Sequence, residues 1–156
     1  MAEIDRSLIG SETEPFFFEV EKGAIRKFAD AIGDPNPLYR DADHARRFGY
    51  ENIVAPPTFP VCFRPPADLP WIQNLDRRRI VAGETAFEYV KPLVAGMKLT
   101  CRVKLTGVDD KQGSKGSMEL MRQELSAHDE AGALVVVVRR TTVYRSAKQI
   151  TERSLA

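Results

Sequence analysis

The sequence predicts an α+β domain, a curved antiparallel sheet with helices on one face, and three observations predict it. Ile25, Phe28, Ala29 and Ile32 fall at i, i+3, i+4 and i+7, the apolar stripe of an amphipathic helix. Beyond Arg79 the period changes to two: Leu99, Cys101, Val103 and Leu105 alternate with Thr100, Arg102, Lys104 and Thr106, as in a half-buried strand. The order is strand, helix, loop region, short central helix, then about four strands, and strands that follow one another in a run pair as antiparallel neighbours.

The elements follow in chain order. Met1 to Glu14 is polar and is expected to be poorly ordered, which leaves an ordered core of about 15–146 in a single domain of 1–156. Phe16 to Val20 reads as a short strand. The helix that carries Ile25 meets Gly33 where a left-handed cap belongs, and Pro35 forbids continuation. Asp34 is thereby delivered onto a rigid turn. Asp41 opens a second, short helix, its carboxylate capping the free N–H groups of the first turn. Arg46 and Arg47 suit the negative end of its dipole, and Gly49 stops it. Pro56, Pro57, Pro60, Pro65, Pro66 and Pro70 come next. Pro57 can open a helix, but Pro60 and Pro65 limit its length, so a truncated or broken central helix is expected. Gly83, Phe87 and Tyr89, on one face of a strand, read as core. Gly113 and Gly116 mark a turn, Met118 to His128 the return strand, and Asp129 to Gly132 the next turn. Leu134 to Tyr144 is valine-rich and apolar on both faces at first, as a central strand should be. The last ten residues read as a frayed tail.

Composition bounds the function. The 156 residues suit one domain. With 23 basic and 22 acidic residues, a net charge of +1 leaves no electrostatic footprint for nucleic acid or for an anionic membrane. Cys62 and Cys101 form no Cys-x-x-Cys pair and sit among apolar neighbours, so buried free thiols in a reducing compartment are expected. Met1 to Gly10 has no long apolar core for a signal peptide, and the longest apolar run, Ala133 to Val138, is far short of a membrane span. A cytoplasmic location is the default expectation. His44 and His128 are far apart and without clustered partners, so no dedicated metal site is expected. Both histidines are read as facing solvent.

Chemistry concentrates in Asp34-Pro35-Asn36-Pro37-Leu38-Tyr39 and in Ala55-Pro56-Pro57-Thr58-Phe59. These segments resemble the active-site region of the MaoC-like (R)-specific enoyl-CoA hydratases and dehydratases. The nearer likeness is to the N-terminal, FAS1-dehydratase-like half of that family. The resemblance covers roughly Phe16 to Tyr144 and is most specific between Asp34 and Phe59. It implies the hot-dog fold, in which the sheet wraps a central helix. It also implies reversible hydration of a trans-2-enoyl thioester to a (R)-3-hydroxyacyl thioester, with an acyl-CoA or acyl-carrier thioester as substrate and no metal or redox cofactor. The family pattern is Asp-x-Asn-Pro-x-His followed by Ala-His-Gly.

Measured against that pattern, Asp34 matches the catalytic aspartate, although an Asp-Pro turn uses an aspartate as a brace as well. Asn36 matches the asparagine, whose expected work is bracing. Tyr39 stands where the general-base histidine belongs. A phenol with an ordinary pKa of ~10 is a poor base at neutral pH but can donate a hydrogen bond or fill space. Pro57 stands where a glycine N–H would polarise the thioester carbonyl, and proline has none. Thr58 N–H could substitute after a shift of one residue; with Phe59 these residues form the expected substrate-binding segment. Arg77 and Arg78, in the run Arg77-Arg78-Arg79, are read either as ligands for the phosphates of coenzyme A or an acyl-carrier protein, or as a solvated charge run. Trp71 is a candidate lid or wall of an acyl tunnel.

Three readings follow. One is a non-catalytic, pocket-shaping subunit paired with a hot-dog chain that carries the histidine. Another is a self-sufficient hydratase or dehydratase that uses Asp34 and Tyr39. The last is a module that binds acyl thioesters without turnover. Each accommodates a homo-oligomer or a hetero-oligomer, since a free sheet edge invites pairing.

Overall fold

The computed structural model of the chain describes residues 3–114 and 116–146; the predicted tail, 147–156, lies outside the described residues. Among the described residues, five strands and two α-helices appear in the expected order: β1 (Phe16–Glu19), α1 (Lys22–Ala31), α2 (Ala42–Arg47), β2 (Ile80–Tyr89), β3 (Lys98–Gly113), β4 (Gly116–His128) and β5 (Leu134–Arg145). The strands form one sheet in the order β1-β3-β4-β5-β2, every pair antiparallel.

Alternation sets the inner face. Leu99, Cys101, Val103 and Leu105 of β3 are buried, and Met121, Leu125 and Ala127 of β4 join them. Register places Cys101 opposite Ala127 and Val103 opposite Leu125. On β5, Val135 to Val138 are all buried, which is the both-faced apolar run that the sequence shows.

The helices pack as their stripes require. Ile25 and Ala29 of α1 are fully buried, whereas Ile32 lies past the helix end and is exposed. Gly33 adopts φ +70°, and the N–H groups of Gly33 and Asp34 return to the carbonyls of Asp30 and Ala29 at 3.1 and 2.9 Å. Those two bonds are a Schellman cap, and a left-handed glycine makes it possible without strain. Asp41 caps α2 through Asp43 N–H at 2.8 Å and His44 N–H at 3.0 Å.

The central helix is reduced to a 3-10 turn of four residues, Phe59–Cys62. The prolines at 56, 57, 60 and 65 explain the truncation. Phe59 anchors this turn, with its ring 5.6 Å from Phe28, 6.1 Å from Phe18 and 6.2 Å from Phe63. Burying an aromatic of this size stabilises the fold by roughly 1.5–3 kcal/mol.

Several expectations are corrected. Residues 3–14 are held, not loose. Ile4 is buried, Arg6–Leu8 form a 3-10 turn, and Gly10 N–H and Thr13 N–H donate to Leu105 and Val103 of β3, each at 2.8 Å. The polar side chains of this segment are ordered by ion pairs, Glu3 with Arg79 and Arg6 with Asp110. Cys101 is buried, but Cys62 is exposed, since the proline turn presents it outward. Tyr89 and Gly83 are exposed and Phe87 half-buried, because β2 is an edge strand. Gly83 has a different necessity: a Cβ there would lie 2.7 Å from the Thr141 carbonyl oxygen, at the register shift between β2 and β5. His44 is half-buried against Phe48, ring centres 4.9 Å apart, and His128 is half-buried too.

Candidate functional site

The Schellman cap of α1 places Asp34 at the mouth of a tight turn. One Asp34 carboxylate oxygen accepts the Asn36 N–H at 3.0 Å, and Asn36 Oδ1 accepts the Leu38 N–H at 3.0 Å. The second bond caps the 3-10 turn Pro37–Tyr39. Arg40 closes the arrangement by donating to the Asp34 carbonyl at 2.8 Å and pairing with Asp30 at 2.7 Å. Two successive Asx turns thus hold the segment, which is the bracing use of both residues.

Tyr39 is 8% exposed and packs into the core. Burial pushes its phenol pKa up, and the negative charge of Asp34 pushes it further the same way. Both effects disfavour phenolate. The Leu38 carbonyl accepts the Val54 N–H at 2.9 Å, which pins the turn to the segment that leads into the prolines.

Pro56 is buried, while Pro57 and Thr58 are exposed. The Pro57 carbonyl accepts the Tyr89 hydroxyl at 2.9 Å, tying the central turn to the β2 edge. Burial of that hydroxyl end raises the Tyr89 phenol pKa well above its usual value. Thr58 N–H has no hydrogen bond among the described residues. Beside Pro57 opens an apolar cleft of about 380 Å³ walled by Ala55, Tyr89, Val90 and Leu93.

The arginine run divides. Arg77 is exposed and pairs with Asp68. Arg78 is exposed and grips Asp76 through Nε at 3.0 Å and Nη2 at 2.8 Å, while Asp76 caps the turn Arg77–Arg79. These contacts pull the Asp76 carboxyl down to about 2. Arg79 is buried, stacks 4.2 Å above the Tyr144 ring and clamps Glu3, so it serves the fold. Trp71 is likewise interior: it is 3% exposed and its indole N–H donates to Gln123 at 3.2 Å. It is a post inside the domain and not a lid at its surface.

The structure therefore gathers Asp34, Asn36 and Tyr39 in one turn, sets Pro57 at a cleft that Thr58 does not line, buries Phe59 in the core, and leaves Arg78 in a local pairing. Arg77 borders a different cavity, between the inner sheet face and the 64–77 loop, together with Arg64 and Arg140. Of these, Arg140 had a signal in the sequence and Arg64 had none. Arg140 continues the inward parity of Val136 and Val138, and a charge at such a position is anomalous. Among the described residues no three His, Cys, Asp or Glu side chains gather to hold a metal ion, and no helix is long and apolar enough to cross a membrane.

Comparison with known proteins agrees with the architecture. The model of the FAS1-like, dehydratase domain region matches residues 7–138. A UPF0336 protein of Thermobifida fusca is 40% identical over 138 residues, spanning 85% of this chain and 88% of that protein. Among solved structures, the chain is similar to one from the C-terminally truncated HadBC (3R-hydroxyacyl-ACP dehydratase) complex of Mycobacterium tuberculosis. The TM-score is 0.75 at 26% identity, over 87% of this chain and 96% of that one. It is also similar to a MaoC-like dehydratase, TM-score 0.75 at 27% identity, over 90% of this chain but 43% of that longer one.

Proposed function

This chain belongs to the FAS1-like dehydratase-region family of MaoC-like hot-dog proteins, and from that premise we propose that it is the non-catalytic, pocket-shaping subunit of an enoyl-thioester hydratase or 3-hydroxyacyl-thioester dehydratase. The observation that carries the proposal is Tyr39. Where the family pattern places an imidazole, this chain has a buried phenol whose pKa is raised by burial and by Asp34. A group that holds its proton through neutral pH cannot take one from water. Pro57 adds a second deficit, because it offers no N–H to a developing enolate oxygen.

A partner chain would supply the histidine and the oxyanion donor. The neighbouring HadBC structure is a complex, which supports pairing of this kind. The free edge of β2 is available for it: Val81 and Tyr89 are exposed there. In such an assembly the cleft beside Pro57 would border the acyl chain, with Ala55, Val90 and Leu93 in its wall, Thr58 next to it in the chain and Phe59 in the core behind. An acyl-CoA or acyl-carrier thioester is the expected ligand.

The test follows the loss of enoyl-thioester absorbance when the purified chain meets trans-2-enoyl-CoA. No turnover alone, with turnover on adding a His-bearing hot-dog chain, is the expected result. A second reading, self-sufficient catalysis, draws on the charge of Asp34 reaching the Tyr39 phenol and on the unbonded Thr58 N–H. It requires turnover by the chain alone that Asp34→Ala abolishes. Binding of the thioester without turnover in either mixture would leave a binding module.

A further inference from the structure

The inner face of the sheet changes character along its length. The paired rows Ala127–Val136 and Leu125–Val138 are apolar, but the next row is Gln123–Arg140, and Thr142 follows opposite Met121. Gln123 is buried and committed: its Oε1 accepts from Trp71, and its Nε2 donates to Thr142 Oγ1 at 3.1 Å. Arg140 is half-buried and reaches no carboxylate. One of its terminal nitrogens donates to the carbonyls of Pro60 at 3.1 Å and Val61 at 3.3 Å, at the central turn.

Above this polar belt lies a cavity of about 380 Å³ under the 64–77 loop. Three guanidinium groups border it, those of Arg64, Arg77 and Arg140, and a single carboxylate, Asp68. Asp68 is taken by Arg77. Arg64 has no partner among the described residues. Burial draws the Arg140 pKa down, and the like charge of Arg64 draws it further. The fold thus holds two cations near each other without a counter-ion. Arg64 is exposed and Arg140 half-buried, so water screens the pair, and an anion seated between them would meet both charges. An arginine offers five donors in a planar fork, and most of those on Arg64 and Arg140 are unspent. Leu69, Ile72 and Ile80 supply apolar wall beside the charges. The size and the mixture of apolar wall with a few directed polar groups are those of a small-molecule site.

We propose that this cavity binds the anionic head of an amphipathic acid, a carboxylate or phosphate borne on an apolar chain, with Arg64 and Arg140 gripping the head and Leu69, Ile72 and Ile80 facing the chain. Arg77, held by Asp68, sets the rim. The site lies on residues other than the Asp34 turn and requires neither a partner chain nor hydration chemistry, so it stands or falls apart from the reading above.

Trp71 is the one tryptophan of the chain and is bonded to Gln123, which borders the cavity, so its fluorescence reports occupancy. The full chain, as it purifies, is titrated with decanoate, decanol, decanoyl-CoA and inorganic phosphate, with calorimetry alongside. Decanoate is expected to bind at least ~10-fold more tightly than decanol, since a charge-assisted fork distinguishes them. If instead decanoyl-CoA shows that advantage and decanoate does not, with inorganic phosphate competing, the head is a phosphate. Arg64→Gln is expected to weaken the anion by at least ~3-fold and Arg140→Gln by at least ~10-fold, with decanol unaffected. Because Arg140 also holds the central turn, Arg64→Gln decides the matter if Arg140→Gln fails to fold. Equal affinity for decanol and every anion, no anion binding up to about millimolar concentration, or undiminished binding by Arg64→Gln would overturn the proposal.

Discussion

The Asp34 turn and the cavity under the 64–77 loop are both polar places in an apolar surround, and they treat polarity in opposite ways. In the turn, the polar groups answer one another: Asp34 accepts from Asn36, Asn36 accepts from Leu38, and Arg40 closes the carbonyl of Asp34. In the cavity, Arg64 and Arg140 stand without a carboxylate. The turn carries the motif of a catalytic site and caps its own backbone N–H groups, while one Asp34 carboxylate oxygen and the Tyr39 hydroxyl have no bonded partner among the described residues. The cavity carries no motif, yet its Arg64 and Arg140 have no carboxylate partner among the described residues.

Three substitutions sharpen that contrast, in order of effect. Phe59→Ala removes a ring that is 1% exposed and touches three others, and it is expected to cost about 3–5 kcal/mol by urea unfolding. A cost below about 1 kcal/mol would mean that the central turn is not packed as described. Asn36→Ala deletes the cap of the Pro37–Tyr39 turn and should cost about 1 kcal/mol. Arg64→Gln should leave stability within about 0.5 kcal/mol, because its side chain touches nothing that it holds. A cavity arginine that proves more stabilising than the turn's cap would erase the distinction.

The smallest effect is a pH dependence at Asp76, next in the chain to the cavity residue Arg77, where a carboxylate caps a 3-10 turn as Asn36 does. Its carboxyl lies at about 2 when folded, below its ordinary 3.8, because Arg78 and the Arg78 N–H hold it. The depressed value means that its contribution is complete above about pH 4 and is lost as pH falls through about 2. In Asp76→Asn, the acid limb of the stability profile between those values should flatten. An unchanged profile would show that the cap contributes nothing measurable.

Much of the fold was legible before the structure, for local reasons. The helix stripe, Gly33 with Pro35, Asp41 as a cap and the prolines that shorten the central turn each act within a few residues, and each is found where the sequence places it. Tyr39 and Pro57 could be identified as substitutions of the family pattern for the same reason. The order of residues 3–14 was not legible. It depends on Glu3 meeting Arg79 and on Thr13 N–H meeting Val103, contacts between positions far apart in the chain.

By itself, then, the sequence determined the period of each element, the caps that bound them, and the presence of a phenol and a proline, Tyr39 and Pro57, in the motif segments. Those properties are carried by single residues and their immediate neighbours. Only the tertiary structure decided that Tyr89 is an exposed edge residue bonded to Pro57, that Trp71 is an interior post, and that Arg64 and Arg140 converge. Strand order and loop path bring such groups together, and both are set by long-range pairing that no local period encodes.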